Sequence, residues 1–572
     1  MNPDILKRAR RWLSQSYDST TRQRVRELIE SQPQELVEAF YKDLEFGTGG
    51  IRGIMGVGTN RINCYTVGAT ALGLFRYLKK RFSDKKELRV AIACDVRKNS
   101  DFFAQSAASV LSAQGVKVFL FEGFRPTPEL SYAVRQLQCF AGIMITASHN
   151  PPEYNGYKVY GEDGAQLVSP YDQYILKEIQ EISVEDIDFK GNSSLIHSLG
   201  TAMDEAFIKT AINNSSFSAL GKKDLRIVLS PLHGTAIAIA PEAFRRAGFE
   251  SFSVVEKQAI PDGNFSTLSS PNPEEPSAFF MAIEQARAQQ ADLVFTTDPD
   301  ADRLGVALRD EQGEFVLLSG NQTNTLLIDY LLKQLKIKGR LNQPSFIAST
   351  LVSSDIFSAL AGKYGVDYEK VFTGFKWISK LIREREGQAL FIGGGEESYG
   401  FMVGDFVRDK DSITSMLLMA DLASAAKAEG SSAYRKLLEI YVHLDCHEEK
   451  LITLTRKGAS GAKEIAEIMK SWRINPLQSI GGSRVIAVED YQNSTRKIFP
   501  DKQEIALRFP PSNMLIYYTQ DDTKIALRPS GTEPKIKFYF CVKSPLSSVE
   551  DYPRVKKKLN DKIQDIIDEL KL

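Results

Sequence analysis

A serine and a histidine stand side by side in Thr146-Ala-Ser-His-Asn-Pro-Pro152. Proline does not continue a helix and pushes the preceding residue toward extended backbone, so Ser148 and His149 are expected on a tight loop at a strand end. A serine hydroxyl there is approachable and can act as a nucleophile. Lys158 is close enough in sequence to bring a cation to it. The alternatives are plain turn chemistry for the tripeptide and a solvated surface charge for the lysine.

Three carboxylates alternate along Asp298-Pro-Asp-Ala-Asp-Arg-Leu-Gly305, directly after an apolar run. Asp298, Asp300 and Asp302 would repel one another unless a cation lay among them, and hard oxygen ligands suit Mg²⁺ or Ca²⁺. An EF-hand is excluded because its sixth and twelfth positions are Arg303 and Arg309 instead of glycine and glutamate. Three carboxylates leave coordination positions open, which favours Mg²⁺ shared with a phosphate. The alternative is a polar turn.

Two further segments combine glycine with polar side chains. In Gly393-Gly-Gly-Glu-Glu-Ser-Tyr-Gly400, the glycines would let backbone approach a ligand, and Glu396 and Ser398 offer the acceptor and donor that sugar hydroxyls need. In 46–53, a glycine-dense stretch carries Arg52, which could neutralise a phosphate. The Walker and Rossmann patterns are absent from it. Each segment could instead be a glycine turn without a ligand.

A fifth segment, Arg528-Pro-Ser-Gly-Thr-Glu-Pro534, lies between two predicted strands. Arg528 supplies a fork of donors, and Ser530 and Thr532 supply hydroxyls. Gly531 lets successive backbone N–H groups point inward as an anion nest. The pattern indicates phosphate binding, and a plain hairpin turn is the alternative.

The helices and strands predicted around these segments follow a pattern that occurs three times. Short apolar runs alternate with helical segments, as in parallel sheets joined by crossover helices. The loops that carry Ser148, Asp298 and Glu396 each follow the last run of a repeat, and ligands bind at the carboxyl ends of parallel strands, so these loops are expected to converge on one cleft. The runs are 88–94, 116–121 and 141–146, then 225–229, 252–255 and 291–295, then 346–348, 370–373 and 389–392.

The two ends of the chain differ from these repeats. Residues 1–45 are predicted to be helical, with Asp18-Ser19-Thr20 as a possible N-cap, and to pack on the first domain. From about 445, short runs at 451–454, 516–519, 524–527 and 536–542 predict a half-exposed antiparallel sheet. An amphipathic helix over 555–570 would cover one face of it.

Composition limits the classes of protein to which the chain can belong. The 572 residues predict roughly four domains, and 43% hydrophobic and 25% charged residues exclude a mainly disordered or fibrous chain. Lysine plus arginine and aspartate plus glutamate both number 72, so no overall cationic field attracts nucleic acid or a membrane. Five scattered cysteines without metal-ligand spacing argue against disulfides and structural zinc. Without a signal peptide or a membrane-length apolar run, a cytoplasmic location is expected.

Taken together, the segments resemble one family, the α-D-phosphohexomutases, over nearly the whole chain from Gly47 to about Val542, with all four family signatures in order. The resemblance implies an α/β fold in a heart-shaped four-domain arrangement: three related mixed α/β domains with mostly parallel sheets, and a C-terminal α+β domain. The boundaries predicted for this chain are 1–205 for the helical extension and phosphoserine domain, 206–322 for the metal-binding domain, 323–445 for the sugar-binding domain and 446–572 for the phosphate-binding domain.

The resemblance also implies roles for individual residues. Ser148 would carry the transferred phosphoryl group and share Mg²⁺ with the three aspartates, with Arg303 beside the group. Glu396 and Ser398 would bind sugar hydroxyls. The residues of the phosphate loop would be Arg528, Ser530, Gly531 and Thr532. Arg52, His149 and Lys158 match positions that handle phosphoserine charge and proton transfer, and Lys376 in Thr373-Gly-Phe-Lys-Trp377 matches a substrate-contacting lysine.

The implied activity interconverts glucose 1-phosphate and glucose 6-phosphate through a phosphoserine enzyme, with Mg²⁺ and with glucose 1,6-bisphosphate as intermediate and activator. Tyr399-Gly400 and the N-terminal helices are similar to the longer branch of the family, which favours glucose phosphates. Mannose and pentose phosphates stay open, because no residue named here separates an axial from an equatorial hydroxyl. The other classes weighed are a metal-dependent sugar-phosphate phosphohydrolase and a non-catalytic sugar-phosphate sensor. The sequence predicts no oligomeric state.

Overall fold

The structure is a computed structural model that describes residues 3–45, 50–456, 458–501, 503–530 and 535–572. It contains two compact units. The first comprises Met1–Leu351 and Tyr364–Ala433, and the second comprises Val352–Lys363 and Tyr434–Leu572.

The helices and strands alternate along most of the chain. The helices are α1 (Pro3–Arg11), α2 (Ser19–Ser31), α3 (Pro33–Phe40), α4 (Cys64–Arg81), α5 (Ser100–Ala113), α6 (Thr127–Gln136), α7 (Tyr171–Gln180), α8 (Thr201–Ser215), α9 (Ala240–Arg246), α10 (Glu256–Ala259), α11 (Phe280–Ala288), α12 (Gly320–Ile337), α13 (Ile356–Tyr364), α14 (Phe375–Glu384), α15 (Ser412–Ala428), α16 (Ala433–Leu444), α17 (Gly458–Ile474) and α18 (Tyr552–Leu570).

The strands of the first unit are β1 (Gly50–Ile54), β2 (Arg89–Cys94), β3 (Lys117–Phe121), β4 (Ala141–Ile145), β5 (Tyr154–Gly161), β6 (Ile196–Leu199), β7 (Ile227–Ser230), β8 (Phe252–Val254), β9 (Leu293–Thr297), β10 (Leu304–Arg309), β11 (Phe315–Leu317), β12 (Ser345–Thr350), β13 (Asp367–Val371), β14 (Leu390–Glu396) and β15 (Gly400–Val403). Those of the second unit are β16 (Cys446–Thr455), β17 (Ser479–Ile480), β18 (Ser483–Asp490), β19 (Thr495–Ile498), β20 (Gln503–Ala506), β21 (Leu515–Thr519), β22 (Lys524–Pro529) and β23 (Lys535–Ser544).

The N-terminal helices confirm the predicted helical segment. The Asp18 carboxylate accepts a hydrogen bond from the Thr21 N–H at 2.9 Å and caps α2. It also accepts one from the Tyr65 hydroxyl at 2.8 Å, which ties the cap to α4. Trp12 and Phe40 lie in a buried apolar cluster among α1, α2 and α3. The extension therefore packs against α4 and the segment before it, through Tyr65 and Val57.

Each of the first three sheets is mostly parallel and has antiparallel strands at one edge. Their orders are β1-β5-β4-β2-β3-β6, β11-β10-β9-β7-β8 and β13-β12-β14-β15. Strands β4, β2, β3 and β6 run parallel, as do β9, β7 and β8, and β13, β12 and β14. Central strands β4 and β9 are buried along their length, and β2 is buried from Val90 onward, as helices on both faces require. The predicted α/β class is confirmed.

The third sheet departs from the sequence prediction at two places. Its strand β13 lies at Asp367–Val371, earlier than the predicted 370–373. Strand β14 continues through the glycines to Glu396 instead of ending before them. A Cβ atom on Gly394 would collide with the Ala348 carbonyl oxygen, and one on Gly395 with that of Gly400. These glycines thus allow close packing of β14 against its neighbouring strands, and their approach to a ligand stays a prediction.

The second unit contains an antiparallel sheet with the order β16-β23-β22-β21-β18-β19-β20, and β17 pairs with β18. Helix α18 buries Val555, Leu559 and Ile563, which confirms the predicted amphipathic closing helix. Arg528 lies within β22 instead of the loop that follows it. Among the described residues, no helix combines the length and apolar character that a membrane crossing demands.

Candidate active site

The loop after β4 presents Ser148 in an unusual backbone conformation. Its φ is 52°, in the left-handed region that non-glycine residues seldom adopt and that clusters at functional sites. The Ser148 N–H donates to Thr146 Oγ1 at 2.8 Å, which stabilises this turn. The Ser148 hydroxyl donates to Asp298 Oδ2 at 2.7 Å and lies 3.2 Å from His149 Nδ1. Burial, reinforced by Arg303 and Arg52, lowers the pKa of His149, so its ring is neutral near pH 7.

A buried arginine that the sequence analysis missed holds this loop. The guanidinium of Arg97 donates hydrogen bonds to four backbone carbonyl oxygens of the loop, three of them at 2.6–3.1 Å. Its Nε also lies 3.3 Å from Asp95 Oδ2. Asp95 in turn accepts from the Thr146 hydroxyl at 2.7 Å. The four carbonyls belong to Ser148, Asn150, Pro151 and Tyr154. Asp95 and Arg97 therefore form a buried ion pair that is hydrogen-bonded to the loop on both sides of Ser148.

The three aspartates after β9 form a buried cluster. Asp298, Asp300 and Asp302 each offer a carboxylate oxygen, and these oxygens lie within 4.8 Å of one another. Asp298 Oδ1 accepts from the N–H groups of Asp302 and Arg303 at 3.1 and 3.0 Å, which curls the loop. Burial, together with repulsion from Asp300 and Asp302, raises the pKa of Asp298 well above its ordinary value.

The cluster fits a divalent cation. Asp300 Oδ1 and Asp302 Oδ1 are buried and have no hydrogen-bond partner, which is costly for a carboxylate unless a cation is bound. Oxygen donors of this kind suit a hard ion such as Mg²⁺. The Ser148 hydroxyl contacts the same cluster, so a group on that oxygen would lie beside the ion.

Two lysines surround the aspartates. Lys158, on β5, lies 2.7 Å from Asp300 Oδ2 and 3.3 Å from Asp302 Oδ2. Lys410 lies 3.1 Å from Asp302 and 3.0 Å from Asp409. Burial alone would raise the pKa of Asp302, but Lys410 and Lys158 hold it below its ordinary range. The two lysines therefore pair with the Oδ2 atoms of Asp300 and Asp302, whereas the Oδ1 atoms have no hydrogen-bond partner.

The third loop joins the same cluster. The Leu304 N–H donates to the Tyr399 carbonyl oxygen at 2.9 Å, which connects the aspartate loop to the loop of Glu396 and Ser398. Glu396 is buried, and its Oε1 accepts from the Gly374 N–H at 2.7 Å. Gly374 has a φ of +117° and precedes α14, so Glu396 fixes the turn from which that helix begins.

The side chains of this third loop differ in environment. Lys376 is in the first turn of α14, where burial lowers its pKa. Ser398 is half-buried. Burial also raises the pKa of Glu396 to about 7, so this carboxyl titrates in the neutral range.

The other predicted residues stand as follows. Arg303 pairs with Glu274, and its Nε lies 3.9 Å from Asp302. Arg52 is exposed on β1 and donates to Asn150 Oδ1 at 2.8 Å, next to the serine loop. Arg528 and Ser530 belong to the second unit, where the Ser530 N–H donates to the Lys535 carbonyl oxygen at 2.8 Å. Gly531 and Thr532 lie outside the described residues.

Asp95, Arg97 and Lys410, which the sequence analysis missed, differ in whether the sequence carries a signal for them. Asp95 is the first polar residue after the parallel strand β2, at the same sheet edge as Ser148, and the rule for strand ends could have found it. Arg97 follows two residues later. Lys410 lies in Arg408-Asp409-Lys410-Asp411, which looks like an ordinary charged turn, and no local signal separates it from a solvated lysine.

Comparison with known proteins shows which proteins this chain is similar to. Three family models match in order, described as phosphoglucomutase/phosphomannomutase alpha/beta/alpha domains I, II and III, over residues 43–186, 205–313 and 319–441. The chain is 40% identical over 556 residues to a phosphoglucomutase of Staphylococcus aureus strain MRSA252, covering 96% of this chain and 97% of the relative.

Solved structures share the fold at lower identity. Parafusin (pp63), a phosphoglucomutase of Paramecium in its open form, aligns with a TM-score of 0.65 at 17% identity, covering 92% of this chain and 96% of the other. A phosphoglucomutase/phosphomannomutase family protein of Burkholderia thailandensis aligns with a TM-score of 0.62 at 18% identity, covering 91% and 96%.

Proposed function

Since the chain belongs to the α-D-phosphohexomutase family and is therefore a mutase that acts on sugar phosphates, we propose that it interconverts glucose 1-phosphate and glucose 6-phosphate through a phosphorylated Ser148. One observation carries the proposal. The Ser148 hydroxyl donates directly to Asp298 in the aspartate cluster, so the nucleophile and the cation ligands share one site. Glucose is favoured because the relative at 40% identity is a phosphoglucomutase.

In the first half-reaction, a sugar hydroxyl attacks the phosphorus of phosphoserine. The bond between phosphorus and the serine oxygen breaks, a bond to the sugar oxygen forms, and glucose 1,6-bisphosphate results. After the bisphosphate turns over, the Ser148 oxygen attacks the phosphorus of its other phosphate group. The bond between that phosphorus and the sugar oxygen breaks, the isomeric sugar monophosphate leaves with a proton on that oxygen, and the enzyme is phosphorylated again. The acceptors in contact with the serine proton are Asp298 Oδ2 at 2.7 Å and His149 Nδ1 at 3.2 Å.

Charge control is the main contribution of the surrounding residues. Mg²⁺ held by Asp298, Asp300 and Asp302 would supply charge neutralisation to the phosphoryl group. Arg303, Lys158 and Arg52 add positive charge around the serine loop and the aspartates. Each of the two transfers also requires the attacking oxygen, the phosphorus and the leaving oxygen to be held in line.

The remaining predicted residues complete the proposal. Glu396, Ser398 and Lys376 would bind the sugar. The non-reacting phosphate would be bound by Arg528, Ser530, Gly531 and Thr532. The four-domain division, the heart-shaped arrangement and the cytoplasmic location stay predictions of this proposal.

A coupled assay tests the substrate. Glucose, mannose and ribose 1-phosphates are each supplied with Mg²⁺ and a trace of the matching bisphosphate, and isomerisation and phosphate release are measured in parallel. The highest kcat/KM is expected for glucose 1-phosphate. A higher value for mannose or ribose 1-phosphate would assign another sugar, and phosphate release without isomerisation would indicate a phosphohydrolase.

Asp300→Asn is expected to raise the Mg²⁺ concentration needed for half-maximal rate and to lower kcat. The substitution removes a charged ligand and the partner of Lys158 at 2.7 Å. A Mg²⁺ titration of the mutase rate measures both effects. Asp310→Asn, in the turn between β10 and β11, is the matched control and should titrate like wild type. An Asp300→Asn titration identical to wild type would contradict the assignment of the metal ligands.

The pH dependence of sugar binding should report on Glu396. Because burial raises the pKa of this carboxyl to about 7, it gains a proton as the pH falls through neutrality and loses acceptor capacity for a hydroxyl. Glu396→Gln resembles the protonated form at every pH. The ratio of kcat/KM between wild type and this variant is therefore expected to be largest above pH 7 and to fall toward one below it. A ratio that does not change with pH would exclude Glu396 as a titrating sugar ligand.

A further inference from the structure

The second unit contains a cluster of three different metal-ligating side chains that the mutase reaction does not use. A ring nitrogen of His447, a carboxylate oxygen of Glu449 and the Cys541 sulfur lie within 4.8 Å of one another. Donors around one zinc ion stand about 3.5 Å apart, given bonds of roughly 2.0–2.3 Å. Small rotations of these side chains would close that difference.

Strand pairing explains why the three side chains meet. His447 and Glu449 are two residues apart on β16, so their side chains lie on the same face of the sheet. Cys541 on β23 pairs directly with Glu449, and Lys524 on β22 pairs with Cys541. Side chains directly opposite one another on neighbouring strands have Cβ atoms about 5 Å apart. The cluster therefore rests on rigid backbone, as a preorganised site requires.

Burial supplies a second, independent observation. His447 and Cys541 are 4% and 6% exposed, whereas Glu449 is half-buried. The Nδ1 atom of His447 is buried without a hydrogen-bond partner. A buried ring nitrogen of this kind is normally satisfied by a hydrogen bond or an ion. The half-buried carboxylate leaves a path by which an ion could enter.

The neighbouring charges are compatible with a cation. Lys524 Nζ lies 3.1 Å from Asp355 and donates to the Ser353 carbonyl oxygen at 2.7 Å, so its charge is compensated. Lys543, which pairs with His447 across the strands, lies 3.1 Å from Asp522. Burial lowers the pKa of His447 to about 4, so the ring is unprotonated near pH 7. Burial, reinforced by Glu449, raises the pKa of Cys541 to about 12, and metal ligation would displace the thiol proton.

We propose that His447, Glu449 and Cys541 bind one zinc ion in the second unit, separate in chemistry from the all-oxygen aspartate cluster. A set of imidazole, carboxylate and thiolate donors is typical of zinc, whereas Mg²⁺ prefers oxygen alone. Three protein ligands leave one position for water. The cysteine spacing in the sequence could not reveal this site, because its ligands come from two strands that are remote along the chain.

Cobalt titration of the full-length protein tests the site, because a cobalt–thiolate bond has a charge-transfer absorption in the near ultraviolet. The protein is stripped of metal with a chelator, supplied with excess Mg²⁺ and titrated with Co²⁺. The charge-transfer band is expected to saturate at one equivalent of Co²⁺ and to disappear when Zn²⁺ is added. Absence of this band at excess Co²⁺ would overturn the proposal.

Matched variants assign the band to these residues. Cys541→Ser is expected to abolish it, and His447→Gln and Glu449→Gln to weaken Co²⁺ binding at least about tenfold. Cys446→Ser changes the buried cysteine at the start of β16, which pairs with Ser544, and this variant should retain the band. Asp300→Asn should also retain it.

Folding is checked separately by circular dichroism. If Cys541→Ser does not fold, the half-buried Glu449→Gln decides in its place. Retention of the full band in folded Cys541→Ser, or unchanged Co²⁺ affinity in folded Glu449→Gln, would refute the site. Zn²⁺ should also raise the thermal unfolding midpoint of wild type but not that of His447→Gln.

Discussion

Ser148→Ala is expected to lower the mutase turnover number by at least about a thousand-fold, because removal of a covalent nucleophile leaves only substrate binding and charge stabilisation. The fold should persist, since the hydroxyl donates only to Asp298 and its loss leaves the backbone bonds of the loop intact. Steady-state turnover of glucose 1-phosphate and the thermal unfolding midpoint measure the two effects. Near-normal turnover in this variant would refute the phosphoserine step.

Phosphoryl labelling separates a covalent role of Ser148 from a merely structural one. Wild type incubated with labelled glucose 1,6-bisphosphate should acquire label on the peptide that contains Ser148, and Ser148→Ala should acquire none. Ser194→Ala is the matched control, because Ser194 is an exposed serine just before β6, a strand of the same sheet as β4. It should keep both label and turnover. Equal labelling of Ser148→Ala and wild type would place the phosphoryl group elsewhere.

Arg97→Met is expected to lower the free energy of unfolding by about 3–5 kcal/mol, the usual cost of leaving one partner of a buried ion pair without its counterpart. Asp95 would lose its buried partner at 3.3 Å, and the serine loop would lose the donors to its carbonyls. The ring of Phe265 would also lose the guanidinium stacked 5.0 Å from its centre. Urea unfolding measures the loss, and kcat should fall as well because the loop no longer holds Ser148 in place.

Two further variants test the origin of this effect. Asp95→Asn combined with Arg97→Met removes both charges and is expected to be more stable than the sum of the single losses predicts. Arg245→Met removes an exposed arginine that pairs with Glu242 and should change stability far less. If the losses of Asp95→Asn and Arg97→Met were simply additive, the ion pair would not be what stabilises the loop.

The candidate residues of the site could be predicted from the amino-acid sequence. Ser148 and the aspartates at 298, 300 and 302 are recognisable from their residue types and from the spacing within each short motif. These two properties limit the chemistry that such a loop can perform. Strand ends were predictable to within a few residues for the same reason, since a buried parallel strand is a continuous apolar run. The course of β14 was predicted less well, because a glycine run indicates a turn and only the packing against Ala348 shows that it continues as a strand.

The contacts between these residues became evident from the folded chain alone. The bond from Ser148 to Asp298 joins side chains 150 residues apart, and the contact of Lys410 with Asp302 has no counterpart in local spacing. Burial likewise depends on the segments that pack around each residue. It raises the pKa of Glu396 to about 7, and it encloses the ion pair of Arg97 and Asp95 inside the protein. Side-chain chemistry is a local property of the chain, whereas proximity and desolvation result from the packing of segments remote in sequence.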